Sequence, residues 1–185
     1  MKKIGFMKFF VFSVLIFSLV LSGTVAFANQ EPKQGGTLSV AISYGNPSTL
    51  DPHISSCITS NQVIEQIFDG LVAIQPGTLD IQPEVAKNWI VSEDGQTYWF
   101  KLNKGVKFHN GEELTASDFK YSAERIADPD FASPEVNLID LIVGAEECMD
   151  GESDEISGIE VIDDYTLKIN LKEFSPAFLF GLATL

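Results

Sequence analysis

Two stretches of alternating hydrophobicity, each folded on an acidic turn, constrain this chain more than any other feature. Trp89 to Val91, the turn Glu93-Asp94-Gly95, and Thr97 to Leu102 (TYWFKL) predict one hairpin on an Asp-Gly turn. Ile156 to Ile162, Asp163-Asp164 and Tyr165 to Leu171 predict a second, in which Leu167, Ile169 and Leu171 alternate with polar residues. Between them Thr115 to Ala127 predicts a helix: Thr115 and Asp118 have capping-box spacing, and Phe119, Ala123 and Ile126 share a face. Hairpins separated by helices predict an α/β fold. The aromatic residues Trp89, Tyr98, Trp99, Phe100 and Phe108 are expected to serve mainly as core, because strand alternation turns such side chains inward.

Thr37 to Ser43 (TLSVAIS) alternates and predicts a strand, whereas Tyr44 to Ser56 holds Gly45, Pro47 and Pro52 and predicts irregular chain. Ser60 to Leu71 predicts a helix with Val63, Ile64, Ile67, Phe68 and Leu71 on one face. A short strand at Leu71 to Ile74 leads into a turn at Pro76-Gly77, and Phe108 to Gly111 predicts another turn. A second helix is expected over Pro134 to Glu147. Pro176 suits the first position of a last helix, and Ala177 to Leu185 (AFLFGLATL) is apolar throughout. Such an uncapped apolar end is expected inside a larger protein.

The first 28 residues read as a secretory signal. Lys2, Lys3 and Lys8 form the positive region, Phe9 to Leu21 the apolar core, and Ala26-Phe27-Ala28 a small-x-small cleavage site before Asn29. A lipid-anchored precursor would carry Cys where Thr24 stands, so a free protein in the bacterial periplasm is expected. The chain has 12 Lys+Arg and 26 Asp+Glu; the leader takes three of the basic residues and no acid, leaving 9 against 26, a charge of −17. That surface repels phosphate backbones and argues against a nucleic-acid partner.

Candidate chemistry is sparse. Glu135 to Asp164 holds 11 acids and neither Lys nor Arg, but a calcium loop starting at Asp150 would need Gly at Glu155 and Glu at Val161. The stretch reads as a solvated acidic face. His53, Cys57, His109 and Cys148 are the only residues of their kinds and show neither zinc-ligand nor nucleophile–base spacing. A disulfide between Cys57 and Cys148 is allowed after export, and the sequence leaves it open. Without a phosphate loop, nucleophile elbow or paired-carboxylate signature, the residues favour binding over catalysis, with neither cofactor nor metal expected.

The segments STLDPH (Ser48 to His53), IFDGL (Ile67 to Leu71), PEVAKNWIVSEDGQTYWFKLNKGVKFHNGEELTASDFKYSAERI (Pro83 to Ile126) and SGIEVIDDYTLKINLKEFSPAFL (Ser157 to Leu179) together resemble the family 5 extracellular solute-binding proteins, the peptide and nickel receptors of bacterial ABC importers. The resemblance runs in the correct order over nearly the whole chain after the leader. It implies the N-terminal part of a two-lobed periplasmic-binding-protein-like II fold, with a mixed sheet and an extra α/β subdomain. On this reading residues 1–28 are the signal peptide and 29–55 the start of lobe one. Residues 56–172 are the subdomain, and 173–185 the return into lobe one.

The resemblance further implies capture of a small solute, most readily a peptide, by lobe closure, followed by delivery to permease subunits in the inner membrane, with no enzymatic activity and a monomeric full-length protein. The ligand-contacting loop after the Leu-Asp-Pro motif maps onto Ser56, Cys57 and Ile58. Glu135 stands after Ala132-Ser133-Pro134, where some peptide receptors carry an aromatic residue; this departure either weakens the peptide assignment or implies a ligand with positive charge near that edge. Two rival readings are a secreted hydrolase, needing Cys57 or a serine beside His53 or His109, and a stand-alone acidic interaction domain.

Overall fold

The computed structural model describes residues 35–42 and 45–183, so the expected leader and its cleavage site lie outside the described residues. The chain divides into two units, Met1–Ala41 and Ile42–Leu185. In the first, residues 35–41 carry no regular secondary structure, and Leu38 and Val40 are exposed. The strand expected at Thr37 to Ser43 therefore does not form over its described part. Alternation makes a strand only where a neighbouring strand takes up its backbone groups, and no such neighbour stands among the described residues.

The second unit begins with a 3-10 turn, Pro52–Ile54, and helix α1, Ile58–Ile64. Strands β1 (Val72–Ile74), β2 (Ile81–Pro83), β3 (Ala86–Val91) and β4 (Thr97–Leu102) follow, then helix α2 (Ala116–Ala127) and a second 3-10 turn, Val136–Leu138. Helix α3 (Ala145–Met149), strands β5 (Ile159–Asp163) and β6 (Thr166–Asn170), and helix α4 (Phe178–Leu182) complete the unit. β1 and β2 pair as a two-stranded sheet, and the other four form a sheet in the order β3-β4-β6-β5. Every pairing is antiparallel, so the mixed sheet expected of the fold has no parallel pair among the described residues.

Both predicted hairpins form. Val91 faces Tyr98 across the first, and Val161 faces Leu167 across the second. The first turns at Gly95, whose φ of +72° is left-handed and whose amide donates to Ser92 O at 2.9 Å. β4 and β6 occupy the centre of the sheet, and their inward residues Phe100, Leu167 and Ile169 are fully buried. Burying a side chain of this size stabilises a fold by about 1.5–3 kcal/mol. Trp89 packs on Phe100 with ring centroids 6.4 Å apart, and Tyr98 meets Phe178 of α4 at 5.0 Å. Phe108, by contrast, is exposed and borders a cleft.

Helix α2 covers this core with Ala123 and Ile126. Its first turn is held by Asp118, whose Oδ2 accepts from Thr115 N at 2.7 Å and Thr115 Oγ1 at 2.9 Å. Asp128 leaves helical geometry immediately before Pro129, as the residue before proline tends to do. The helix expected over Pro134 to Glu147 is replaced by the 3-10 turn and α3. Gly144, at φ +83°, lies so close to Ser157 that a Cβ would stand 2.4 Å from its Oγ. The chain must break there to let Ile142 bridge to Leu171, and Ile139 and Ile142 are buried as anchors rather than as one helical stripe. α1 also ends earlier than its periodicity suggests; Ile67 and Phe68 follow it in a turn and remain partly exposed.

Candidate functional site

The irregular segment before α1 is held by its own side chains. Asp51 caps the Pro52–Ile54 turn, its Oδ1 accepting from His53 N at 3.0 Å. Asp51 N donates to Thr49 Oγ1 at 3.0 Å, and Ser48 N donates to Ser60 Oγ on α1 at the same distance. Arg125, near the end of α2, grips both Asp51 oxygens, Nη1 to Oδ1 at 3.0 Å and Nη2 to Oδ2 at 2.5 Å. The same Nη1 stands 3.0 Å from His53 Nδ1, and the guanidinium lies over the Phe131 ring at 3.9 Å. The hydrogen bonds from Arg125 hold the Asp51 carboxyl below the usual carboxylate range. Burial, reinforced by the Arg125 charge, holds the His53 imidazole below its ordinary value.

Ser133 ties this segment to the chain after α2. Its hydroxyl donates to His53 O and accepts from Glu135 N at 3.1 Å. Glu135 is therefore placed beside the loop that carries the other three expected contact residues. Within that loop Ser56 is exposed, Cys57 is half-buried at the start of α1, and Ile58 is exposed. Backbone N–H groups of Ser60 and Thr59 draw the Cys57 thiol below its usual range, whereas burial pushes the Cys148 thiol up. Both cysteines are free thiols.

A cavity of about 340 Å³ lies at this junction and is lined by Ser55, Asn61, Glu65, Glu84 and Glu135 among others. Of the four residues expected to touch ligand, Glu135 lines it; Ser56, Cys57 and Ile58 do not, although their neighbours Ser55 and Asn61 do. Ser55 Oγ donates to Asn61 Oδ1 at 2.5 Å, which orients the asparagine amide. Glu84 Oε2 accepts from Gly70 N at 2.9 Å, and partial burial pushes its carboxyl upward. Among the described residues none of the three glutamates is ion-paired. Glu65 and Glu84 escape sequence reasoning because Gly70 and the β1–β2 hairpin bring them together from separate elements; only the Pro-Glu-Val run around Glu84 is a local signal.

A larger cleft of about 530 Å³ shares Pro52, Phe68 and Gly70 with this cavity. Its walls are mostly apolar, including Leu50, Phe108, Phe119 and Tyr121, and Asp51 and Arg125 also line it. The geometry suits reversible binding: polar groups and a fixed amide converge on one cavity, and the His53 ring presents Nδ1 to a guanidinium rather than to a nucleophile. Among the described residues no group of side chains could hold a metal ion, and no helix is long and apolar enough to cross a membrane.

Comparison with known proteins agrees with this reading. The family described as "Bacterial extracellular solute-binding proteins, family 5 Middle" matches residues 80–185. The chain is 34% identical over 176 residues to the oligopeptide-binding protein OppA of Bacillus subtilis, covering 89% of this chain and 31% of that protein. It is also 34% identical over 143 residues to the probable deoxycholate-binding periplasmic protein YgiS of Escherichia coli, covering 76% and 26%. The solved structure of the Escherichia coli murein tripeptide binding protein MppA superposes with a TM-score of 0.69 at 34% identity, covering 75% of this chain and 27% of that one. The chain thus spans under a third of the length of these relatives.

Proposed function

This chain belongs to the bacterial extracellular solute-binding proteins of family 5, and from that premise we propose that it captures a short peptide outside the cytoplasmic membrane and presents it to the permease of an ABC importer. The relatives are solute-binding proteins rather than enzymes, and one of those compared is named as periplasmic. In this reading residues 1–28 direct export and are cleaved before Asn29. Residues 56–172 form a subdomain of lobe one, with residues 29–55 and 173–185 belonging to the lobe itself. The mature full-length protein acts as a monomer without enzymatic activity.

The observation that carries the proposal is the Ser133 bridge. One hydroxyl holds His53 O and Glu135 N, and on this reading Ser56, Cys57 and Ile58 on one side and Glu135 on the other are the two banks of the binding edge. The loop bank offers backbone groups to an extended peptide. Glu135, joined by Glu65 and Glu84 in the adjoining cavity, favours a positively charged ligand group. Lobe closure completes the contacts, and ligand shifts the population toward the closed form by its tighter binding there.

Calorimetric titration of the native mature protein with a panel of short peptides tests this. The expected result is saturable binding, with Glu135→Gln weakening lysine-containing peptides by about tenfold, the effect of one charge contact of about 1.4 kcal/mol. Absence of binding across the panel, or cleavage of the peptides, refutes it. The form of the hydrolase alternative that uses His53 as its base is disfavoured by the pairing of His53 with Arg125.

A further inference from the structure

We propose that Arg125, Asp51 and His53 form a proton-sensitive latch that positions the loop from Ser55 to Ile58, holding it at neutral pH and loosening it in mild acid. The proposal rests on the peptide-receptor reading for its consequence, and on the geometry of the cluster for its mechanism.

Arginine carries donors only, so Nη1 of Arg125 at 3.0 Å from His53 Nδ1 requires a lone pair on that nitrogen. The held imidazole is therefore neutral, with its proton on Nε2. The ring cannot swing away freely, because His53 is buried and its backbone is fixed at both ends: N by Asp51 Oδ1, O by the Ser133 hydroxyl. Protonation of Nδ1 removes the acceptor and sets two cations against each other at hydrogen-bond distance.

The charged and titratable groups around the ring show why the nearby acids do not offset this. Asp51, on the same turn, already has Oδ2 engaged by Arg125 and Oδ1 shared between Arg125 and His53 N. Its carboxyl is held low by Arg125 and remains ionised while an imidazole titrates. Asp118 and Tyr121 on α2 and Asp69 ahead of β1 line the same cleft as His53, and none of them makes a hydrogen bond to its ring. The cluster therefore passes from one cation and one anion to two cations and one anion inside a half-buried site.

The direction follows. Burial, then the Arg125 charge, holds His53 below its ordinary value in the folded protein. A histidine so depressed contributes its stability above the ordinary imidazole range near 6.5 and loses it as pH falls through the folded value. Release moves the Pro52–Ile54 turn, and with it Ser55 and the edge facing Glu135.

The test uses the native full-length protein. Amide hydrogen exchange of His53 and Ile54, whose N–H groups donate to Asp51, and of the following Ser55 to Ile58, corrected for intrinsic rate, is measured at about pH 7.5 and about pH 5, alongside an NMR titration of the His53 imidazole. Exchange is expected to rise about tenfold in acid, the scale of losing one hydrogen bond to a charged group. His53→Asn should abolish the rise, because an amide oxygen can accept from Arg125 without titrating. Unchanged exchange in the native protein, an imidazole titrating at or above the ordinary value, or an equal rise in His53→Asn overturns the latch. Calorimetry with trialanine and with trilysine at both pH values separates the two readings. A pH-dependent loop in a protein that binds no peptide keeps the latch and removes the receptor, while peptide binding with a pH-independent loop does the reverse.

Discussion

Arg125 shows how a single side chain can organise a segment that has no regular structure. Nothing in the helical periodicity of α2 marks it, since it stands on the opposite side of the sequence pattern from Ala123 and Ile126. Its pairing with Asp51 spans 74 residues of chain and joins the Leu-Asp-Pro-His motif to the helix. Both side chains remain partly solvated, so Arg125→Ala is expected to cost about 1–2 kcal/mol in urea denaturation at neutral pH. Because the folded Asp51 carboxyl lies below its unfolded value, its stabilisation is present above the ordinary carboxylate range and lost as pH falls through the folded value. Asp51→Asn should therefore differ from the native protein near neutrality and converge with it in strong acid; a constant difference at all pH values would contradict the charge pairing. The aspartate was legible in sequence as part of a motif. Its partner was not, because a long-range ion pair leaves no local pattern.

At the scale of elements, local rules worked where one turn or one face determined the outcome. The Asp94-Gly95 hairpin formed where turn chemistry placed it, and the Thr115–Asp118 spacing marked the start of α2. Gly95 adds a tertiary requirement that turn rules do not contain: a Cβ there would lie 2.3 Å from the Phe174 ring. Gly95→Ala should destabilise the protein by about 1–3 kcal/mol, through left-handed strain and this overlap together. Adding Phe174→Ala should restore only the overlap part, as a double-mutant thermal melt would show. Phe100→Ala, at the centre of the sheet, is expected to cost about 3–5 kcal/mol, enough to remove cooperative unfolding followed by circular dichroism. The segment from Pro134 to Glu147 failed as a helix prediction because its apolar residues serve two neighbours. Ile142 reaches Leu171 and Gly144 turns against Ser157, and neither contact is encoded by spacing along the chain.

For the molecule as a whole, its surface carries the clearest consequence. Leu38, Val40, Leu79 and Phe174 are all more than half exposed. The polypeptide Asn29–Leu185 is expected to bind a dye specific for apolar surface, and a soluble product that binds none would contradict this. The family was readable from motifs in their correct order, and charge, the two longer hairpins and the α/β class followed from composition and alternation; the short β1–β2 hairpin did not. These properties depend on neighbours in sequence, which interact whatever the rest of the chain does. Only the tertiary structure decided that Ser133 joins His53 to Glu135, that Glu65 and Glu84 share a cavity with Asn61, and that an arginine on α2 confronts a buried imidazole. Such contacts arise when packing brings distant segments within a few ångströms, where hydrogen bonding and desolvation act on distance in space rather than on separation along the chain.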